Sequence, residues 1–101
     1  MVIINIIRHI YLNDDMWELV SFIHGQTRKI CLELLSSGPK TPTTIVKTSG
    51  KHLSHISRAL RELEKKGLVE CLTPDLPKNR IYRITSKGKE ILEKMKELQQ
   101  S

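Results

Sequence analysis

The side chains with chemistry to offer in this 101-residue chain are four histidines, two cysteines and a run of serine, histidine and arginine between positions 54 and 61. His9, His24, His52 and His55 are the candidates for general acid-base work, and none has a carboxylate at a spacing that would orient its imidazole. There is no glycine-rich phosphate loop and no Ser-His-Asp pattern, so no enzyme activity is expected. His52 and His55 stand at i and i+3 and could share a metal ion. A helix cap and a base-contacting side chain account for them without one, so neither metal nor cofactor is expected. Cys31 and Cys71 lie forty residues apart among apolar neighbours and read as two reduced core thiols rather than as a disulfide.

The serine, histidine and arginine run lies within GKHLSHISRALRELEKKGLVECL, residues 50–72. Ile56, Leu60 and Leu63 fall at i, i+4 and i+7 with Ala59 beside them, so a helix over about 53–66 turns one stripe toward a core. Ser54, His55, Ser57, Arg58 and Arg61 lie off that stripe. Hydroxyls and an imidazole near the helix start, followed by guanidinium groups one turn later, suit a helix end inserted into a DNA major groove, where Arg can grip a guanine bidentately. The plainer alternative is a solvated helix face, and Lys65 and Lys66, which favour the negative end of the helix dipole, belong to it.

Charge placement favours the groove. The net charge is +6, and residues 26–85 hold twelve Lys and Arg against five acids, whereas residues 1–25 hold one against three. A basic stretch of this kind attracts a polyanion at long range and makes binding salt-dependent.

The elements that must position this helix follow from turn chemistry. Asp14 or Asp15 can cap a first helix that places Trp17, Val20 and Ile23 or Phe22 on one side and stops at Gly25. A second, about Gln26 to Ser36, repeats Ile30, Cys31, Leu34 and Leu35. Gly38 and Pro39 break the chain, and Thr41 followed by Pro42 caps a short third helix, about Pro42 to Ser49, with Ile45 and Val46 inward. Gly50 closes it and the next helix starts within about three residues, with His52 in the N-cap region, which is a helix-turn-helix arrangement. After Gly67 the period changes: LVECL and IYRIT read as strands joined by the seven-residue loop TPDLPKN, with Lys78 and Arg80 at its tip and Arg83 further down one face. Such a hairpin can lay cations along a phosphate backbone.

From Thr85 or Ser86 a last helix puts Ile91, Leu92, Met95 and Leu98 on one stripe, which either packs back on its own domain or meets its copy in a dimer. We favour the dimer, with Ile91, Met95 and Leu98 as its contacts. Residues 1–12, MVIINIIRHIYL, form an apolar extension that fits a strand or a helix. The run is interrupted by Asn5, Arg8 and His9, is too short to span a bilayer and lacks a small-residue cleavage site. The expectation is a single domain over 13–101 of α+β class, mostly α: helices, then a two-stranded hairpin wing, then a C-terminal helix.

Three segments, GPKTPTTIVKTSG, LSHISRALRELEKKGLVECL and RIYRITSKGKEIL, taken in that order, resemble the winged helix-turn-helix transcription regulators of the MarR and ArsR-like kind, particularly the small single-domain archaeal ones. The resemblance covers residues 16–98. It implies a cytoplasmic homodimer that binds double-stranded DNA and regulates transcription, with Leu53, Ser54, His55, Ser57 and Arg58 presented to the groove and Lys78, Asn79 and Arg80 at the wing. Arg61, together with Thr41, Thr43, Lys51 and His52 at the start and turn of the helix-turn-helix, completes the candidate interface. Val46 stands where such proteins usually have alanine, Thr44 where a glutamate often completes a capping box, and the paired-cysteine metal-sensing motif of ArsR-like repressors is missing. The competing class is a protein-interaction module, which should present an exposed apolar anchor; Leu53 alone in residues 53–61 fits that. With four aromatic residues, no small-molecule effector pocket is evident.

Overall fold

A computed structural model describes residues 14–99 of the chain. Its elements run α1 (Asp14–Ile23), α2 (Gln26–Leu35), α3 (Pro42–Ser49), α4 (Leu53–Lys65), β1 (Val69–Cys71), β2 (Tyr82–Ile84) and α5 (Ser86–Gln99). This is the mostly helical α+β arrangement expected from the sequence. The apolar extension over 1–12 lies outside the described residues.

Each helix ends where local chemistry stops it. Asp14 and Asp15 lie in the first turn of α1, where their charge favours the positive end of the helix dipole. In α3 the Thr44 N–H donates to Thr41 Oγ1 at 3.2 Å, Pro42 takes the first helical position, and Gly50 closes the helix in the left-handed region at φ 74°. At the end of α4 the Gly67 N–H donates to the Glu64 carbonyl at 2.9 Å and the Leu68 N–H to the Leu63 carbonyl at 3.0 Å, with Gly67 at φ 75°. That paired closure is a Schellman motif, and its accompanying apolar contact is supplied by Leu63 and Leu68, both fully buried.

The strands are antiparallel, in register Val69↔Ile84, Glu70↔Arg83 and Cys71↔Tyr82. On the other side of β2, Lys40 pairs with Tyr82 through two backbone hydrogen bonds of 3.0 and 2.9 Å. The loop before α3 therefore joins the sheet, which the breakers Gly38 and Pro39 do not announce.

One core unites the elements: Val20 and Ile23 from α1, Leu32 and Leu35 from α2, Ile45 from α3, Ile56, Leu60 and Leu63 from α4, and Ile91 and Met95 from α5. The terminal helix belongs to this core and packs on α1 and α2. That corrects the dimer contacts expected for α5, because Ile91 and Met95 are 1% and 0% exposed and have no surface left for a second copy. Leu98, half-buried against the same core, keeps some. Cys31 is buried and free, with its thiol pushed up to about 12 by burial. Cys71, also free, is only half-buried at the sheet, so the expected pair of core thiols is one core thiol and one at its margin.

Thr85 fastens α5 to the end of α4. Its Oγ1 accepts from the Gly88 N–H at 3.0 Å and donates to the Gly67 carbonyl at 2.7 Å, and its own N–H donates to the Leu68 carbonyl at 3.0 Å. The approach is so close that a Cβ on Gly88 would lie 2.1 Å from the Leu68 carbonyl oxygen. Gly88→Ala should therefore lower stability by roughly 1–3 kcal/mol through overpacking against backbone, read as a shifted midpoint in urea unfolding; an unmoved midpoint would mean that α5 slides freely. A thiol reagent should modify Cys71 in the folded chain and reach Cys31 only in denaturant, a difference that the mass of the labelled protein reports.

Candidate nucleic-acid interface

The buried stripe of α4 leaves Leu53, Ser54, His55, Arg58 and Arg61 exposed and Ser57 half-buried, all on one side of the molecule's surface helix. His52 occupies the N-cap position with extended backbone (φ −68°, ψ 144°), but its side chain makes no capping hydrogen bond. Instead its ring meets that of His55 edge-on, with centroids 5.8 Å apart. His52 is thus the N-cap residue by position, as expected, without a capping bond from its side chain. The positive end of the helix dipole consequently points outward beside two exposed imidazoles.

Around that helix end stand the other sequence-derived candidates. Thr41 is tied up as the cap of α3, its hydroxyl also 3.1 Å from that of Thr44, so threonine in place of the capping-box glutamate still closes the turn. Thr43, two residues on from Thr41, is exposed, and Lys51 is half-buried, its N–H donating to Ser49 Oγ at 3.2 Å. In the wing, Lys78, Asn79 and Arg80 are exposed, with Asn79 in the left-handed region at φ 56°. Arg80 Nε donates to the Leu76 carbonyl at 2.8 Å and so braces the wing loop. Arg83 is committed elsewhere, since its guanidinium pairs with Glu70 across the strand register, and the sequence-based placement of Arg83 as a cation free for phosphate is corrected.

A cleft of about 620 Å³ separates α4 from the wing; Thr43, Ser57, Arg61, Lys78 and Arg80 line it together with one acid, Glu64, and Tyr82 forms its floor. Burial pushes the Tyr82 phenol up, so it stays neutral there. Donors and cations facing one another across a cleft of this kind can hold an anionic chain. A second recess, about 300 Å³, opens between the start of α2 and the outer flank of α4, lined by Gly25, Thr27, Arg28, His55, Arg58 and Glu62. Within it Arg28 donates from Nε and NH2 to the two Glu62 carboxylate oxygens at 3.3 and 3.2 Å and from NH1 to the Phe22 carbonyl at 3.0 Å. Its guanidinium also lies 4.2 Å from the centroid of the Phe22 ring. Sequence reading missed this link. Its one local cue is Glu62, an acid on the outer flank of an otherwise basic helix face.

Among the described residues no cluster of three or more His, Cys, Asp or Glu is placed to hold a metal ion, and no helix is long and apolar enough to cross a membrane.

Residues 28–101 match the protein-family model described as Winged helix-turn-helix. Among solved structures, a MarR family transcription regulator is similar at 26% identity and a TM-score of 0.65, over 73% of this chain and 50% of that one. The reduced form of MarR from E. coli is similar at 25% identity and a TM-score of 0.65, over 83% of this chain and 64% of that one. A mutant of the same E. coli protein complexed with operator DNA is similar at 21% identity and a TM-score of 0.54, over 91% and 76%. BldR, a transcriptional regulator from Sulfolobus solfataricus, shares the fold at 22% identity and a TM-score of 0.68, over 98% and 72%. The chain thus spans half of the first of these relatives and 64% of the second. No curated protein matches it.

The two exposed-face threonines should separate cleanly. Thr41→Ala should cost about 0.5–2 kcal/mol of stability through loss of the cap, whereas Thr43→Ala should leave unfolding unchanged; calorimetry on the two variants checks this.

Proposed function

The chain belongs to the winged helix-turn-helix family, and on that footing we propose that it is a transcriptional regulator that binds duplex DNA with α4 in the major groove and the wing along the backbone. The observation that carries this reading is the exposed half of α4, where Ser54, His55, Arg58 and Arg61 face out together while Lys78 and Arg80 stand across the cleft. Ser54, His55, Ser57 and Arg58 are the residues for base edges and nearby phosphates, with Leu53, 53% exposed, for a thymine methyl. Thr43, Lys51 and His52 serve phosphates at the turn, and Lys78 and Asn79 those at the wing. Arg80, engaged through Nε with its own loop, both shapes the wing and offers its remaining N–H groups to the backbone.

We propose further that the regulator acts in the cytoplasm as a homodimer, so that two copies of α4 reach successive major grooves about 34–36 Å apart. With Ile91 and Met95 consumed by the core, the features that support this are half-buried Leu98 and, in the sequence alone, the apolar run over 1–12.

An interaction module is favoured by one observation, the exposure of Leu53, Leu72 and Leu76 at 53%, 42% and 44%. Leu53, the most exposed of them, shares its cleft with Arg61, Lys78 and Arg80, which an acidic polymer recognises better than an apolar partner does.

Selection of bound sequences from random duplex DNA, with the mass of the protein in solution, tests the proposal. Arg58→Ala should weaken binding to the selected site by roughly 1–3 kcal/mol and relax preference at one position. Lys78→Ala should weaken all sequences alike and reduce the salt slope by about one. A protein that ignores duplex DNA and heparin at low salt is not this regulator.

A further inference from the structure

Arg58 has an acid for a neighbour. Glu62 follows it by four residues on α4, a spacing that puts two side chains side by side on a helix surface, and both line the recess at the start of α2. A carboxylate there can pair with the Arg58 guanidinium and can repel the phosphates that Arg58 would meet. Yet among the described residues Arg58 makes no ion pair, while both oxygens of Glu62 accept from Arg28, at 3.3 and 3.2 Å.

Arg28 is well placed to hold them. Its NH1 is anchored on the Phe22 carbonyl at 3.0 Å and its guanidinium sits on the Phe22 ring at 4.2 Å, so the fork is pre-set by the turn between α1 and α2 before it meets Glu62. The remaining charged groups around Glu62 are His55 and Arg58 in the recess and Lys66, one turn further along α4, whose Nζ lies 5.5 Å from the centroid of the same ring.

We propose that Arg28 is a positioning residue for DNA binding: by occupying the Glu62 carboxylate it keeps that carboxylate off Arg58 and leaves the Arg58 guanidinium free for the duplex. This rests on the DNA-binding reading above. Arg28 acts here through Glu62 and Arg58, without touching the nucleic acid.

The test is an anisotropy titration of a fluorescein-labelled random-sequence duplex with the full chain and its variants, each first checked for folding by its thermal transition. Arg28→Met should weaken binding about two- to fivefold, the scale of one competing helix pair plus an uncovered carboxylate. Adding Glu62→Gln should restore affinity, and Arg58→Ala should cost less in the Arg28→Met background than in the natural chain. Arg28→Lys, which keeps the charge but cannot grip both oxygens, should fall between; it also serves if Arg28→Met fails to fold. A double variant that stays weak shows that Arg28 contacts the duplex itself and overturns the proposal. An Arg28→Met chain that binds as tightly as the natural one overturns it too, since Glu62 has then turned to Lys66. If the natural chain shows no salt-sensitive binding to the duplex, the DNA-binding reading fails first, and this inference falls with it.

Discussion

What holds the outer face of α4 in place is the inner face of the same helix. Ile56, Ala59, Leu60 and Leu63 are between 0% and 2% exposed, in a helix that packs chiefly on α2, α3 and β1. Burial of a large apolar side chain is worth roughly 1.5–3 kcal/mol, whereas an exposed charge pair is worth about 0–1 kcal/mol. The orientation of α4 is thus decided from inside, and the surface residues are left free of any structural duty. A face that includes Ser54, His55, Arg58 and Arg61 is affordable on those terms.

Everything beyond the helix is attached to its two ends. At the front, α3 arrives through Gly50 in the left-handed conformation, which sets the short turn between the two helices. At the back, the Schellman closure at Gly67 passes the chain directly into β1, and Thr85 and Gly88 bring α5 against that same junction. Electrostatics follows the same economy. Two acids of the basic central stretch, Glu62 and Glu70, each meet an arginine, Arg28 and Arg83 respectively. On the groove side the one carboxylate among the residues lining the cleft is that of Glu64, set against the cations of Arg61, Lys78 and Arg80.

Much of this is legible in the sequence because it is local. Thr41 with Pro42 and Gly50 bracket α3 at its observed limits, and the stripe Ile56, Leu60 and Leu63 with Gly67 sets α4 to within one residue. The candidate side chains on α4 could be named because a 3.6-residue period assigns each position a face. What escaped depends on contacts between distant parts of the chain. Arg28 and Glu62 are 34 residues apart and carry no periodic signal. Lys40 joins Tyr82 through backbone alone, so no side-chain pattern marks it. The fate of Ile91 and Met95 was ambiguous for another reason: an apolar stripe says that something covers it, and only the packing of α1 and α2 says what. Likewise Asp14 and Asp15 suit both a cap and a first turn, which differ by a residue.

The bridge between Lys40 and Tyr82 has a bearing on how the protein behaves in a crowded solution. A two-stranded ribbon ordinarily offers two rows of unpaired backbone groups along which another chain can add itself. Here β2 has β1 on one side and, at Tyr82, Lys40 on the other, so part of its outer edge is already taken. The edge of β1 is three residues long and carries the charged Glu70 at its centre. An edge so short and so charged is a poor template for intermolecular strand addition. A backbone contact in a connecting loop thus protects the wing from the self-association to which isolated hairpins are prone.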